Sequence, residues 1–113
     1  MMNQEIKAKW VAALRSGQYE QAKEVLHSEA SGGFCCLGVL CVLSMAETGF
    51  GISDTLEETA GDNFLGLTVM QWAGLPFEHG DKVVIDGQDR LLSSHNDDGK
   101  TFAQIADAIE AQL

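Results

Sequence analysis

A helix-dominated α+β domain is what this sequence predicts, on three observations. Apolar residues recur at helical spacing near both ends of the chain, and an uncharged apolar run crosses its middle from Phe34 to Leu43. Between that run and the C-terminal helix, Val83-Val-Ile-Asp-Gly87 carries the signature of one β-hairpin. A length of 113 residues matches one domain, 1–113, with a single core. Hydrophobic residues at 45% and a single proline fit an ordinary globular chain rather than a disordered one. No repeat, low-complexity tract or linker interrupts it.

The first helix follows from Ile6, Trp10, Ala13 and Leu14, with Asn3 as N-cap and Gly17 just past the end. Tyr19, Ala22, Val25 and Leu26 share a face of a second helix. The short Ser16-Gly17 break between the two predicts an N-terminal αα-hairpin. Gly32-Gly33 resets the chain, and Phe34 to Glu47 is long for a strand and ends at Gly49, so it reads as a buried central helix. Gly38 would let another helix approach closely. Phe50 to Gly66 reads as a loop with a helical turn near Leu56. Thr68 is the expected cap of a short helix through Val69, Met70 and Trp72, ended by Gly74 and Pro76. Val83 to Ile85 and Arg90 to Leu92 are the hairpin strands about Asp86-Gly87. Thr101 opens a capping box with Gln104, and Phe102, Ile105, Ala106, Ile109 and Leu113 form one face of the final helix.

The formal charge of −10 is unevenly placed. Lys7, Lys9, Arg15 and Lys23 balance Glu5, Glu20 and Glu24 within the first 28 residues, whereas only Lys82, Arg90 and Lys100 offset the later acids. Such a field repels nucleic acid and anionic lipid and favours a basic partner. No basic stripe suits direct nucleic-acid binding. Glu5, Lys7 and Lys9 break any N-terminal apolar region, which predicts no secretory signal. The strongly apolar part of the central run is too short for a membrane span. An odd count of three cysteines argues for reduced thiols in a cytosol.

Trp10-Val-Ala-Ala-Leu-Arg-Ser-Gly17, Phe34-Cys-Cys-Leu-Gly-Val-Leu-Cys41 and Asn96-Asp-Asp-Gly-Lys-Thr-Phe102, the last leading into Ile105-Ala106, are three blocks in a fixed order. With Val69-Met-Gln-Trp-Ala-Gly-Leu75 between the last two, the chain resembles a family of small phage and prophage accessory proteins. That resemblance implies expression in the cytoplasm of a bacterial host and action against a host defence or on a host protein.

Several residues offer chemistry. Cys35 or Cys36 near a helix N-terminus could be a nucleophile, with His95 as base and Asn96 or Asp97 orienting it, as in a thiol hydrolase or transferase. Against this, free cysteines in the most apolar run of a chain usually serve as small buried hydrophobes. A metal site is not expected, since Cys41 would point away from Cys35 and Cys36 on a helix and the three histidines are isolated. Asp97-Asp-Gly-Lys-Thr101 lacks the earlier glycine and spacer of a phosphate loop. Free amides at that helix end or after Gly32-Gly33 could still hold an anion. Trp10, Tyr19 and Trp72 could stack on a base, although helically spaced aromatics mostly fill cores.

The leading expectation is a non-enzymatic, phage-encoded counter-defence protein without cofactor. It would sequester a nucleotide-type immune signal through Trp10, Arg15, Asn96 and Asp97, or block a host defence protein. Asp54, Glu57, Glu58 and Asp62 are the expected partner surface, and they could also mimic a row of nucleic-acid phosphates. Homo-oligomerisation stays open.

Overall fold

The computed structural model describes residues 2–28, 30–49 and 65–113. The side chain of Asn3 accepts hydrogen bonds from the amides of Glu5 (3.0 Å) and Ile6 (3.2 Å), and so starts α1, Gln4–Arg15. Ile6, Trp10, Val11 and Leu14 give this helix its buried face. Cys35 caps α2, Cys36–Thr48, with its sulfur 3.4 Å from the Gly38 amide, and Gly49 closes it in the left-handed conformation at φ 82°. Every residue from Cys36 to Cys41 is buried, so the expected central helix is present and its first half is enclosed on all sides.

The expected αα-hairpin is not formed: after α1 the described residues 16–28 and 30–35 run in irregular, partly extended backbone. Its amide and carbonyl groups pair across rather than along the segment. Ala22 N–H donates to the Phe34 carbonyl and Phe34 N–H to the Glu20 carbonyl, each at 2.8 Å, while Cys35 N–H reaches Leu26 O at 3.2 Å. Helical spacing of Tyr19, Ala22, Val25 and Leu26 is therefore overridden by tertiary pairing, with Leu26 fully buried and Tyr19 edge-on to Phe34 at 5.7 Å. Gly38 does permit a close approach, but of this connector. A Cβ at Gly38 would overlap the carbonyl oxygen of Leu26.

A short α3, Leu67–Ala73, follows, capped at Gly66 rather than at Thr68 and ended by Gly74 at φ 76°. Strands β1, Lys82–Ile85, and β2, Gln88–Leu91, pair antiparallel with Val83 opposite Arg90 and Ile85 opposite Gln88. Both turn residues take positive φ, Asp86 at 53° and Gly87 at 77°, as a two-residue hairpin turn requires. Leu92 does not extend the strand. It opens α4, Leu92–Asp97, which the sequence did not suggest.

The last helix is α5, Phe102–Gln112, begun by the expected capping box. It packs along α1 and β1, and Arg15 of α1 binds Asp107 at 2.6 Å and Glu110 at 3.0 Å across that joint. At its far end the Gln112 side chain accepts from Val84 N–H at 2.7 Å and donates to Val84 O at 2.8 Å, on the edge of β1 turned away from β2. Among the described residues, no helix is long and apolar enough to cross a membrane.

Candidate functional site

Helix α4 faces two environments. Leu92, His95 and Asn96 point into the core, whereas Ser93, Ser94 and Asp97 line a cleft on the other side. That division follows from helical geometry, because residues four apart share a face and adjacent ones diverge by about 100°.

On the inner side, Asn96 is fully buried and its carboxamide is fully used. The oxygen accepts from Cys36 N–H at 3.2 Å and from the Gln21 side chain at 2.9 Å, and the amide nitrogen donates to Ala22 O at 2.8 Å. One residue thus ties α4 to the start of α2 and to the irregular connector. Trp10 closes the same joint, with its indole N–H donated to Cys36 O at 2.9 Å and no exposed surface. Neither is available to a ligand, which corrects the expectation that Trp10 and Asn96 would hold one.

His95 is equally buried, and its Nε2 lies 2.7 Å from Val83 O. A carbonyl can only accept, so Nε2 carries a proton, and Nδ1 has no hydrogen-bond partner among the described residues. Neither ring nitrogen hydrogen-bonds a cysteine sulfur. Burial pushes the Cys35 thiol up from an ordinary 9.0 to about 11, and drives Cys36 well above its ordinary value as well. The Cys36 thiol donates to Leu92 O at 3.7 Å. A thiol with so high a pKa is almost wholly protonated at neutral pH and a poor nucleophile. The Cys–His arrangement suggested by the sequence is therefore not assembled.

Arg15 is half-exposed but spoken for, since Glu110 and Asp107 hold its guanidinium and raise its pKa further, while Arg15 in turn lowers that of Glu110. Its positive charge is more than neutralised, which makes it a poor anion receptor. Asp54, Glu57, Glu58 and Asp62 lie outside the described residues.

The outer side of α4 is more open. A cleft of about 550 Å³ is lined by Glu24, Val25, Cys35, His79, Ser93, Ser94 and Asp97. Asp97 Oδ1 accepts from the Glu24 N–H at 2.8 Å, which holds Glu24 in its left-handed backbone at φ 67° and brings the two residues together at the cleft. Opposite them, His79 Nδ1 lies 3.2 Å from the Ser93 hydroxyl. Cys35 forms part of the floor, with only 5% exposure. Among the described residues the lining holds no lysine or arginine, so the cleft offers carboxylate and hydroxyl oxygens to a cationic group and repels phosphate.

Of the seven lining residues, only Cys35 and Asp97 stand out in the sequence. Glu24, His79, Ser93 and Ser94 come from three segments whose meeting depends on the irregular connector and on α4, and no spacing in the sequence signals it. No group of three or more His, Cys, Asp or Glu side chains among the described residues could hold a metal ion.

A protein-family model described as a domain of unknown function, DUF8296, matches residues 2–113. No curated protein and no solved structure matches the chain. With that match running along almost its whole length, the chain belongs to the DUF8296 family.

Proposed function

We propose that this protein is a non-enzymatic binding domain, and that the cleft beside α4 receives a basic side chain of a protein partner. One observation carries the reading: Asp97 sets an exposed carboxylate at an open cleft with no lysine or arginine among its described lining residues, while the Cys35 thiol there is kept protonated by burial. Such a site binds cations and does no nucleophilic chemistry. It also favours the protein-blocking expectation over capture of a nucleotide signal, because the Asp97 carboxylate opposes a phosphate and Trp10 has no face to offer a base. The resemblance to phage accessory proteins makes a host defence protein with an exposed basic surface the proposed partner, and inhibition the proposed effect. A net charge of −10 would steer such a partner over distances of the order of the Debye length, about 10 Å at 0.1 M salt.

The test is expression in a bacterium carrying a defence system and challenged with phage, beside a Glu24→Gln, Asp97→Asn double variant. The wild type should restore plaque formation and the double variant should not, while both proteins fold alike. Partner association measured in vitro should slow as salt rises from 0.05 to about 0.5 M. Equal plaque counts with both proteins across the defence systems tested, together with salt-indifferent binding, would sink this reading.

A further inference from the structure

The two edges of the β-hairpin are not alike. In an antiparallel pair, residues whose backbone groups bond across the ladder alternate with residues whose groups point away from it. The bond from Leu92 N–H to Asp81 O at 3.0 Å fixes the phase: Arg90 and Gln88 bond inward to Val83 and Ile85, while Val84 on β1 and Asp89 and Leu91 on β2 turn their N–H groups outward. Gln112 takes both outward groups of Val84, in agreement with that phase. Nothing does the same for β2. The N–H and C=O of Asp89 and the N–H of Leu91 have no hydrogen-bond partner among the described residues, and Gln88, Asp89 and Arg90 are all exposed.

Charges on a short edge strand ordinarily prevent it from pairing with its own copy, and β2 carries such charges. Only Asp89 and Leu91 can bond across this edge, which leaves a second copy of the chain three symmetric antiparallel registers. One sets Asp89 against Asp89 and another sets Arg90 against Arg90, each a directly opposed like-charge pair. The third, Leu91 against Leu91, has no further rung on that side because α4 begins at Leu92. A second copy is therefore a poor occupant, yet the same charges do not oppose a strand of different composition. Asp89 lies on the solvent face of the hairpin opposite Val84, with half-buried Leu91 two residues on, and its carboxylate has no ion pair among the described residues. Arg90 projects from the other face, where it is ion-paired with Asp98.

We infer that the β2 edge receives an extended segment of a partner protein as a third, antiparallel strand, with a basic side chain opposite Asp89 and an apolar one opposite Leu91. Antiparallel order makes that segment read apolar, any residue, basic from its N- to its C-terminal end. Main-chain bonds to Asp89 and Leu91 supply attachment, and the unpaired Asp89 carboxylate selects the charge, reinforced by the net charge of −10. None of these groups lines the α4 cleft, so the edge stands or falls apart from the role proposed there.

The test uses peptides with acetylated and amidated ends, titrated into the isotope-labelled full chain and followed by backbone amide NMR. Thr-Val-Thr-Lys-Thr should shift the amides of Asp89 and Leu91 and slow their exchange with solvent. Replacing its lysine by glutamate should weaken binding about fivefold or more, the scale of a cross-strand charge pair reversed. N-methylation of the peptide's lysine removes the N–H that meets Asp89 O and should abolish binding, whereas N-methylation of the central threonine, whose N–H points away from β2, should be tolerated. Asp89→Lys, at an exposed position, should reverse the preference so that the glutamate peptide binds better. Absence of shifts at Asp89 and Leu91 with either peptide, equal affinity for the two, or indifference to which residue is methylated would overturn the inference. Shifts at the same amides on concentrating the protein alone would assign the edge to a second copy and overturn it as well.

Discussion

Asn96 and Asp97 are chain neighbours on one short helix with opposite fates. Asn96 is sealed in a buried joint where both polar atoms of its carboxamide have fixed partners, and Asp97 stands at an open cleft where one oxygen anchors the Glu24 backbone. The joint holds most of the residues that look chemically active in the sequence: two cysteines, a histidine and a tryptophan. Apart from Cys35 and Asp97, the cleft is made of residues that look ordinary. What separates them is solvent. A buried polar group must be satisfied to be tolerated, and once satisfied it has nothing left to offer a ligand.

The comparison can be broken most forcefully at the joint. Asn96→Ala removes the partners of Cys36 N–H and Ala22 O in the interior, and should cost about 4 kcal/mol, read as a lowered urea midpoint. Leu40→Ala, in the enclosed half of α2, should follow at about 3 kcal/mol through lost burial and the cavity left behind. An unchanged midpoint in either variant would mean that the interior is not the rigid half of the pair.

A third prediction concerns the thiols. Their pKa values are raised on folding, so the native state retains protons that the unfolded chain releases. The stability this contributes is complete below pH 9.0 and is lost as pH climbs through about 11 for Cys35. Urea midpoints should hence fall across that alkaline window, and less so in a Cys35→Ser, Cys36→Ala variant. At pH 8, iodoacetamide should label all three cysteines only after denaturation. Rapid labelling of Cys35 in the folded protein would reopen the thiol enzyme. The smallest effect is expected at the cleft: Glu24→Gln should change stability by about 0.5 kcal/mol or less while weakening capture of a basic peptide. A large loss of stability there would erase the distinction.

Much of the architecture was legible because it rests on local chemistry. Asn3, Gly49, the Asp86-Gly87 turn and the Thr101–Gln104 box each act within a few residues, and each is found as its spacing implies. The stretch from Gln18 to Leu26 has helical apolar spacing, yet its hydrogen bonds are set by Phe34, further along the same connector, and by Asn96 of α4. Helix α4 is hidden for a related reason: Leu91 and Leu92 continue the strand pattern, and Leu92 N–H still bonds Asp81 O (3.0 Å) as a last rung of the ladder before the chain turns into the helix. The cleft lies between these two segments. It inherited their illegibility, and Cys35 and Asp97 alone gave a hint of it.

The Gln112 amide on β1 has a bearing on how the molecule behaves in a crowd. A two-stranded sheet offers free edges that invite the strands of other molecules, and Val84 is a 47%-exposed apolar residue on such an edge. By bonding both backbone groups of Val84, one carboxamide from the end of α5 stands in for a third strand and leaves that rung closed to strangers. Fraying of a single helical turn at the C-terminus would lift this guard, which links the solubility of the whole chain to the anchoring of its last few residues.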